Sequence, residues 1–481
     1  MTSADDLEGR YGLLLARENT LDNLGDRDAQ EADLDAMKGI ADSLENVEKK
    51  TEVALQYANY FYAVSNYPSA GDAARKAIEL SQDLDEKEME CLANNYLGKS
   101  LMKQDIYEEA KEILGKGLIL ANRSGRKDLF ADTLVSLGII DIYKGTFDQA
   151  QSSLEQALKV FQENGNLSGE GRTYTWLGNL FFQQGNHHKA NGYQEKSLKI
   201  ARKIGDRLSE SGSLTNLGIV KSSQGDFSSA KELYEHALYI TREIGSQGNE
   251  AGLLSNLGFN AKQLGLYHEA EHYLKESLAI YSQIGIRVGE CVALINLGSV
   301  SHDKGEHINA QNYYTKALDL ACEIGSIDYE GYALAGLGNV FIGLGQLDIA
   351  EETLQKSISL RKEIGQIFLV MESRESLARI AIRHSDISSA QIQINSILGF
   401  LDEGNTLDGT EAPFRIYLTC VQVLNANQDP RASKILTDAY NLLQTCAGKI
   451  SNENLRYSFL NNVVANRDIM REYESENIVE E

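Results

Sequence analysis

One feature limits this chain more than any other: alanine recurs at Ala70, Ala110, Ala150, Ala190, Ala230, Ala270, Ala310, Ala350 and Ala390, a stride of 40 residues held without slip. Leucine keeps the same stride from Leu97 through Leu377, and at the first seven of these positions glycine follows, from Gly98 to Gly338. A fixed period of this length marks an array of small supersecondary units, each unable to bury its apolar face without a neighbour.

Two further glycine series complete the unit. One runs from Gly145 to Gly345 and the other from Gly125 to Gly365, and the three series together hold 20 of the 41 glycines. About two turns of helix separate each Leu-Gly pair from the next glycine, which ends that helix in a left-handed residue. An Asp, Asn, Ser or Thr often follows, as at Asn186 and Asp226, and can cap the next helix. The repeating alanine is expected to face the Leu-Gly glycine across the hairpin, where small side chains allow close approach. The third glycine ends the second helix, as in Ile204-Gly205 and Ile244-Gly245. Each unit therefore reads as helix A, a turn, a longer helix B and a turn.

Composition agrees. With 3 prolines in 481 residues, and Leu, Ala, Glu and Lys abundant, the chain suits helices. A net charge of −24 argues against nucleic acid and anionic membranes as partners. Cys91, Cys291, Cys322, Cys420 and Cys446 are odd in number and lack CxxC spacing, so they are expected to be reduced thiols on packed helix faces of a cytoplasmic protein. Residues 1–25 carry no basic-then-apolar leader, and no run of about 18 apolar residues occurs.

The pattern of Gly218, Ala230 and Ala237, and of Gly298, Ala310 and Ala317, resembles the tetratricopeptide repeat: Leu-Gly in helix A, alanine twelve residues on, a small residue seven further. The usual period is 34 with a proline after helix B; here the period is 40 and that proline is absent, as in the long-repeat branch that includes kinesin light chains and spindle-orientation adaptors. The resemblance implies an all-α fold, a right-handed superhelical solenoid of tandem helix-turn-helix repeats. The array is expected over residues 51–398, with Ala58 and Ala378 replacing the glycine in its end units. Residues 1–50 read as capping helices, 399–413 as a linker containing Gly404, Gly409 and Pro413, and 414–481 as a helical hairpin and capping tail. The opening Ala16-Arg17-Glu18, Gly25-Asp26-Arg27, Gln30 and Asp33-Leu34, and the tail Leu455-Arg456, Ser458-Phe459-Leu460, Val463 and Asn466-Arg467, are similar to the ends of the repeat arms of bacterial STAND-type ATPase and nucleotide cyclase signalling proteins. Ala447-Gly448-Lys449-Ile450 lacks the leading glycine and following Ser or Thr of a phosphate loop, so no ATPase activity is assigned to this chain.

In such solenoids helix A lines the concave face. The resemblance therefore implies a groove at Asn95, Lys99, Arg172, Asn179, Phe259, Lys262, His302, Tyr332 and Asn339, joined by Asn216, Asn256 and Asn296 just before Leu-Gly. Asparagine can donate and accept to an extended backbone at once; equally, it can bond the turn of a neighbouring helix. A protein or peptide partner, with no cofactor, no metal and no catalysis, is the expected function. The alternative is a small-molecule-sensing regulatory arm of a signalling ATPase or cyclase.

One motif speaks for chemistry. His268-Glu269-Ala270-Glu271-His272 matches the HExxH signature, in which two histidines hold zinc and the glutamate activates water. Its register is that of an ordinary helix B, since Ala270 is the repeat alanine, and no third ligand is evident. Trp176, the sole tryptophan, is expected to pack rather than bind, and Glu472 to Glu481 reads as a solvated acidic tail.

Overall fold

The computed structural model describes residues 6–24, 27–64, 66–84, 87–407 and 409–479. Gly25 and Asp26 of the opening motif, and Glu480 and Glu481 of the acidic tail, lie outside them. Among the described residues there are 24 helices and no strand, so the chain is all-α. It divides into two compact units, Met1–Gly205 and Asp206–Glu481.

The first unit holds five antiparallel pairs: α1 (Leu7–Leu24) with α2 (Arg27–Ser43), α3 (Val47–Ala63) with α4 (Tyr67–Leu84), α5 (Lys87–Met102) with α6 (Tyr107–Ser124), α7 (Lys127–Tyr143) with α8 (Phe147–Glu163), and α9 (Leu167–Gln183) with α10 (His187–Ile204). The second continues the pairing with α11 (Arg207–Ser223) and α12 (Phe227–Glu243), α13 (Gln247–Gln263) and α14 (Tyr267–Ile284), α15 (Arg287–Asp303) and α16 (His307–Glu323), α17 (Ile327–Gly343) and α18 (Leu347–Glu363), and α19 (Ile367–Arg383) and α20 (Ile387–Asp402). It ends in α21 (Pro413–Ala426), α22 (Arg431–Lys449), α23 (Glu453–Asn461) and α24 (Val464–Val479).

The turns form as their residues dictate. Gly225, between α11 and α12, has φ +73°, and Gly205, after α10, has φ +72°, conformations in which a Cβ is strained. Asn186 and Asp226 then cap the following helices, their side chains accepting from the N–H of Lys189 at 3.1 Å and of Ser229 at 3.2 Å. The two helices of a repeat are nearly equal, 17 residues in both α11 and α12, so the expected longer helix B is not found. The turn glycine leaves each helix the same four to five turns.

Packing refines the role of the small residues. Every repeat alanine from Ala70 to Ala390 is fully buried. The side chain that fills the space at the Leu-Gly glycine, however, comes from one turn beyond the alanine. A Cβ on Gly138 would lie 2.8 Å from Leu154, and one on Gly258 would lie 2.5 Å from Leu274. In the repeats of Gly218 and Gly298 a tyrosine, Tyr234 or Tyr314, fills the same space. Ala58 and Ala378, which stand for glycine in the end repeats, are both fully buried.

The flanking motifs are structural. In the first unit Arg17 donates to Asp33 (2.6 Å) and Gln30 to Glu18 (2.7 Å), pinning α1 to α2. In the second, Ile416, Cys420 and Val423 of α21 join the core of Ile394 and Ile397 from α20, so α21 and α22 extend the stack. The chain then turns back within the same unit. Phe459 of α23, with Leu443 and Cys446 of α22, packs on Leu264 and Phe227, next to the turns that follow α13 and α11. Lys449 Nζ donates to the Gln224 carbonyl at 2.6 Å, and Asn462 Nδ2 to that of Gly265 at 3.4 Å. Cys322 is exposed, while Cys91, Cys291, Cys420 and Cys446 are buried, so one of the five does not lie on a packed face as expected.

Candidate polypeptide-binding face

In each unit the expected groove positions form a ribbon of side chains across successive A helices. In the first unit Arg172 of α9 donates to Asp132 of α7 at 2.5 Å. Lys99 of α5 faces the same aspartate; burial, with the repulsion of Arg172, pulls its ammonium below the usual lysine range while Asp132 opposes. Asn95 is buried and donates to Thr133 at 2.9 Å. Asn179 accepts from Gln194 at 3.0 Å. Trp176 is half-buried beside Tyr143, ring centroids 6.5 Å apart, and Tyr143 itself is 57% exposed. This ribbon combines an aromatic edge, two cations and one carboxylate.

In the second unit the corresponding ribbon is covered by the chain itself. After α20 ends at Asp402, a non-helical stretch leads to Pro413, and Glu411 within it lies on the A helices. The Glu411 carboxylate accepts from Lys262 of α13 at 3.2 Å and from Ser299 of α15 at 3.1 Å. Its carbonyl accepts from Gln263 at 3.2 Å, and its N–H donates to Glu372 of α19. One residue of a non-helical segment is thus held through side chain and backbone by three helices. Burial alone would lower the Lys262 ammonium, which is 7% exposed, but Glu411 and Asp303 outweigh it and hold the group above its ordinary range. The Glu411 carboxylate is likewise held below its ordinary range, Lys262 outweighing burial. Glu372 behaves oppositely: burial, then the neighbouring Glu411, raises it to about 7, with Arg415 and Arg361 opposing.

Next to this contact Arg415, in the first turn of α21, bonds Glu375 at 3.3 Å, and Arg379 meets the same fully buried carboxylate at 2.7 Å. These cations outweigh burial and keep Glu375 ionised. A cavity of about 340 Å³ lies between the A helices and residues 411–415, with Lys262, Tyr314, Tyr332, Glu372 and Glu411 among its walls. Arg361 stacks over the Tyr332 ring at 4.2 Å. His302 is pulled down to about 3 by burial and by Arg415 and Arg379, so it is neutral across the physiological range.

The remaining expected residues are tied into the repeats. Asn339 donates to the Ala335 carbonyl at 3.2 Å and accepts from Ser376 at 2.8 Å, and Asn296 donates to Ser255 at 3.4 Å. Asn216 and Asn256 are half-buried, and Phe259 lies 6.0 Å from the Lys262 ammonium. Reading the register alone missed Ser299, Gln263, Glu372 and Glu411. One signal was present: at the position of Lys262 the other repeats carry Tyr62, Met102, Ile142, Phe182, Ser222, His302, Ile342 and Ile382, none of them a lysine or arginine.

The zinc motif does not assemble. His268 and His272 are exposed. Glu269 pairs with Lys231 at 2.5 Å, and Glu271 with Lys275 and Lys304 at 2.6 and 2.7 Å. Among the described residues no group of three or more metal-ligating side chains occurs, and no helix is long and apolar enough to cross a membrane.

The sequence profile of the tetratricopeptide repeat matches residues 170–243, 249–323 and 289–363. No curated protein matches the sequence at a significant level. Among solved structures, aspartyl phosphate phosphatase F of Bacillus subtilis is similar at 13% identity, over 76% of this chain and 95% of that one, with a TM-score of 0.52. The apo quorum sensor NprR of B. thuringiensis is similar at 18%, over 76% and 99%, with a TM-score of 0.51. A signal transduction ATPase with numerous domains and a tetratricopeptide repeat sensor, from Pyrococcus horikoshii, is similar at 18%, over 74% of this chain and 54% of that one, with a TM-score of 0.51. At these identities the likeness is one of fold.

Proposed function

We propose that this chain, a tetratricopeptide-repeat protein, is a non-catalytic scaffold or sensor arm that binds an extended protein or peptide segment on the inner face of its A helices. One observation carries the reading: the A-helix face of the second unit already grips a non-helical segment, at its own Glu411, through Lys262, Ser299, Gln263 and Glu372. Hydrogen bonds to main-chain N–H and C=O give affinity, and a charged pocket gives selectivity, the division of labour seen wherever extended peptides are recognised. The ribbon of Lys99, Asp132, Arg172, Asn179 and Trp176 in the first unit offers the same chemistry to a second chain. Two neighbours of the same fold, a quorum sensor and a signalling ATPase with a repeat sensor, agree with a sensing role. An odd number of cysteines, none at CxxC spacing, suits a reducing cytoplasm.

Selection of a random-peptide phage library on the full chain, followed by calorimetric titration of the winners, tests the proposal. Binders in the micromolar range that weaken tenfold or more in Lys99→Glu or Arg172→Glu support the first-unit ribbon as the site. A library that yields no binder tighter than about 1 mM, near −4 kcal/mol, sinks the reading.

A second reading, a small-molecule-sensing arm, has the cavity of the second unit in its favour. A metabolite panel in a thermal-shift assay separates the two, because a ligand-specific rise in melting temperature without any peptide binder favours the cavity.

A further inference from the structure

We propose that the inner face of the second unit is a binding site for an acidic extended peptide, and that residues 409–412 occupy it as an internal stand-in for that partner. The inference rests on the polypeptide-binding reading and adds which residues bind, what they recognise, and that the site is closed in cis.

Three independent observations support it. Lys262 is out of pattern: its register position holds Met, Ile, Phe or Ser in most repeats, yet here it is a buried lysine. An unpaired buried ammonium is costly, so the residue requires a carboxylate. Asp303 of α15 stands 3.8 Å away, and the nearer carboxylate, at 3.2 Å, is that of Glu411, 149 residues away on a segment with no helix of its own. Next, the main chain at Glu411 is satisfied by side chains of the array, not by local structure: Gln263 donates to its carbonyl, and Glu372 accepts its N–H. This is how a receptor holds a ligand backbone. Last, the segment is a turn and bend between helices, Thr410 N–H donating to the Leu407 carbonyl at 3.1 Å. Gly409 has φ +87°, and Pro413 keeps Ala412 out of the helical region, at φ −141°. Released, the segment leaves Lys262 and Ser299 facing the groove, ready for another carboxylate on an extended chain.

Tethering fixes how strongly the site is closed. A short flexible tether gives an effective concentration of about 1 mM, so a free peptide of equal intrinsic affinity loses to the internal segment unless it is concentrated or the internal carboxylate is removed. The test follows from that. A fluorescein-labelled peptide of residues 409–416 is titrated by anisotropy into the full wild-type chain and into Glu411→Ala. The peptide should bind Glu411→Ala at least tenfold more tightly than the wild type. A peptide with glutamine at the Glu411 position should lose that gain. Lys262→Met in the Glu411→Ala background, which installs the residue of Met102, should lose it too. Equal affinity for wild type and Glu411→Ala, or equal binding of the glutamine peptide, overturns the proposal.

Should Glu411→Ala fail to fold, the wild type still decides. Raising the unlabelled peptide through millimolar concentration should speed amide exchange at 410–412, and unchanged exchange overturns the proposal. Library peptides that bind in an Arg172-dependent way while this test fails would leave the broader function standing and remove only this site.

Discussion

The two units obey one repeat grammar and treat the faces of their A helices in opposite ways. In the first, an A-to-B turn such as that at Gly185 is open, a Cβ there meeting nothing within 4 Å. The ribbon above it ends in an exposed Tyr143. In the second, the turns at Gly225 and Gly265 are capped by Cys446 and by Asn462, and the ribbon is covered by Glu411. The alanines, turn glycines and caps are the same in both, so the repeat itself does not decide whether a groove is open. What decides it is a carboxyl-terminal segment that carries the acid, the prolines and the aromatic residues needed to fold back.

The comparison is broken most severely by Phe459→Ala. Phe459 is 2% exposed and lies between Phe227 and Phe414, with ring centroids 5.8 and 6.3 Å away. Its truncation should cost the second unit about 3–5 kcal/mol and leave amide exchange in α5 to α9 unchanged. Equal loss of protection in both units contradicts the division drawn here.

A pH series sharpens it next. Folding favours the neutral form of Glu372, whose proton is held to about 7 by burial and by Glu411. The stabilisation it gives is complete below the ordinary glutamate range and lost as pH rises through about 7, a span of about 3 kcal/mol at most. His302, depressed to about 3, works the other way, its contribution being present above the ordinary histidine range and lost as pH falls. Protection from exchange at residues 410–412, taken relative to the intrinsic base-catalysed rate, should therefore fall between pH 5 and 8 in the wild type and stay level in Glu372→Gln. A fall that persists in the variant assigns the titration elsewhere.

A paired substitution isolates the fold-back contact. Gly185→Ala and Gly225→Ala carry the same strain, φ +72° and +73°, worth about 1 kcal/mol. Only at Gly225 does the new Cβ also meet Cys446 Sγ, at 2.6 Å, which should add about 1–3 kcal/mol. Equal melting temperatures for the two variants mean that the carboxyl-terminal helices do not rest on this turn in solution.

The smallest expected difference is a control. Ala150→Leu and Ala270→Leu overpack the same fully buried register position, one in each unit, and each should cost about 1–3 kcal/mol. If either leaves the melting temperature unchanged, the shared register is wrong.

How much of this was legible depends on sequence separation. The helix pairs, the left-handed turn residues, the caps at Asn186 and Asp226 and the buried alanines all follow from contacts within one 40-residue unit or between adjacent ones. A constraint repeated nine times leaves a periodic trace. The motifs at the ends could be read as motifs, but their work as pins, Arg17 to Asp33 and Asn466 to the Phe459 carbonyl, needed coordinates. Lys262 was named among the groove residues from its register, whereas its partner Glu411 lay in what reads as a plain linker.

The amino-acid order by itself determined an all-α array of helix pairs at a 40-residue stride, with its buried alanines and turn glycines. Only the tertiary structure decided that the second inner face is filled by residues 409–412. That contact is made once, between groups 149 residues apart, so it has no period to reveal it. Its stability comes from pairing buried charges across helices, a property of three-dimensional proximity and low dielectric.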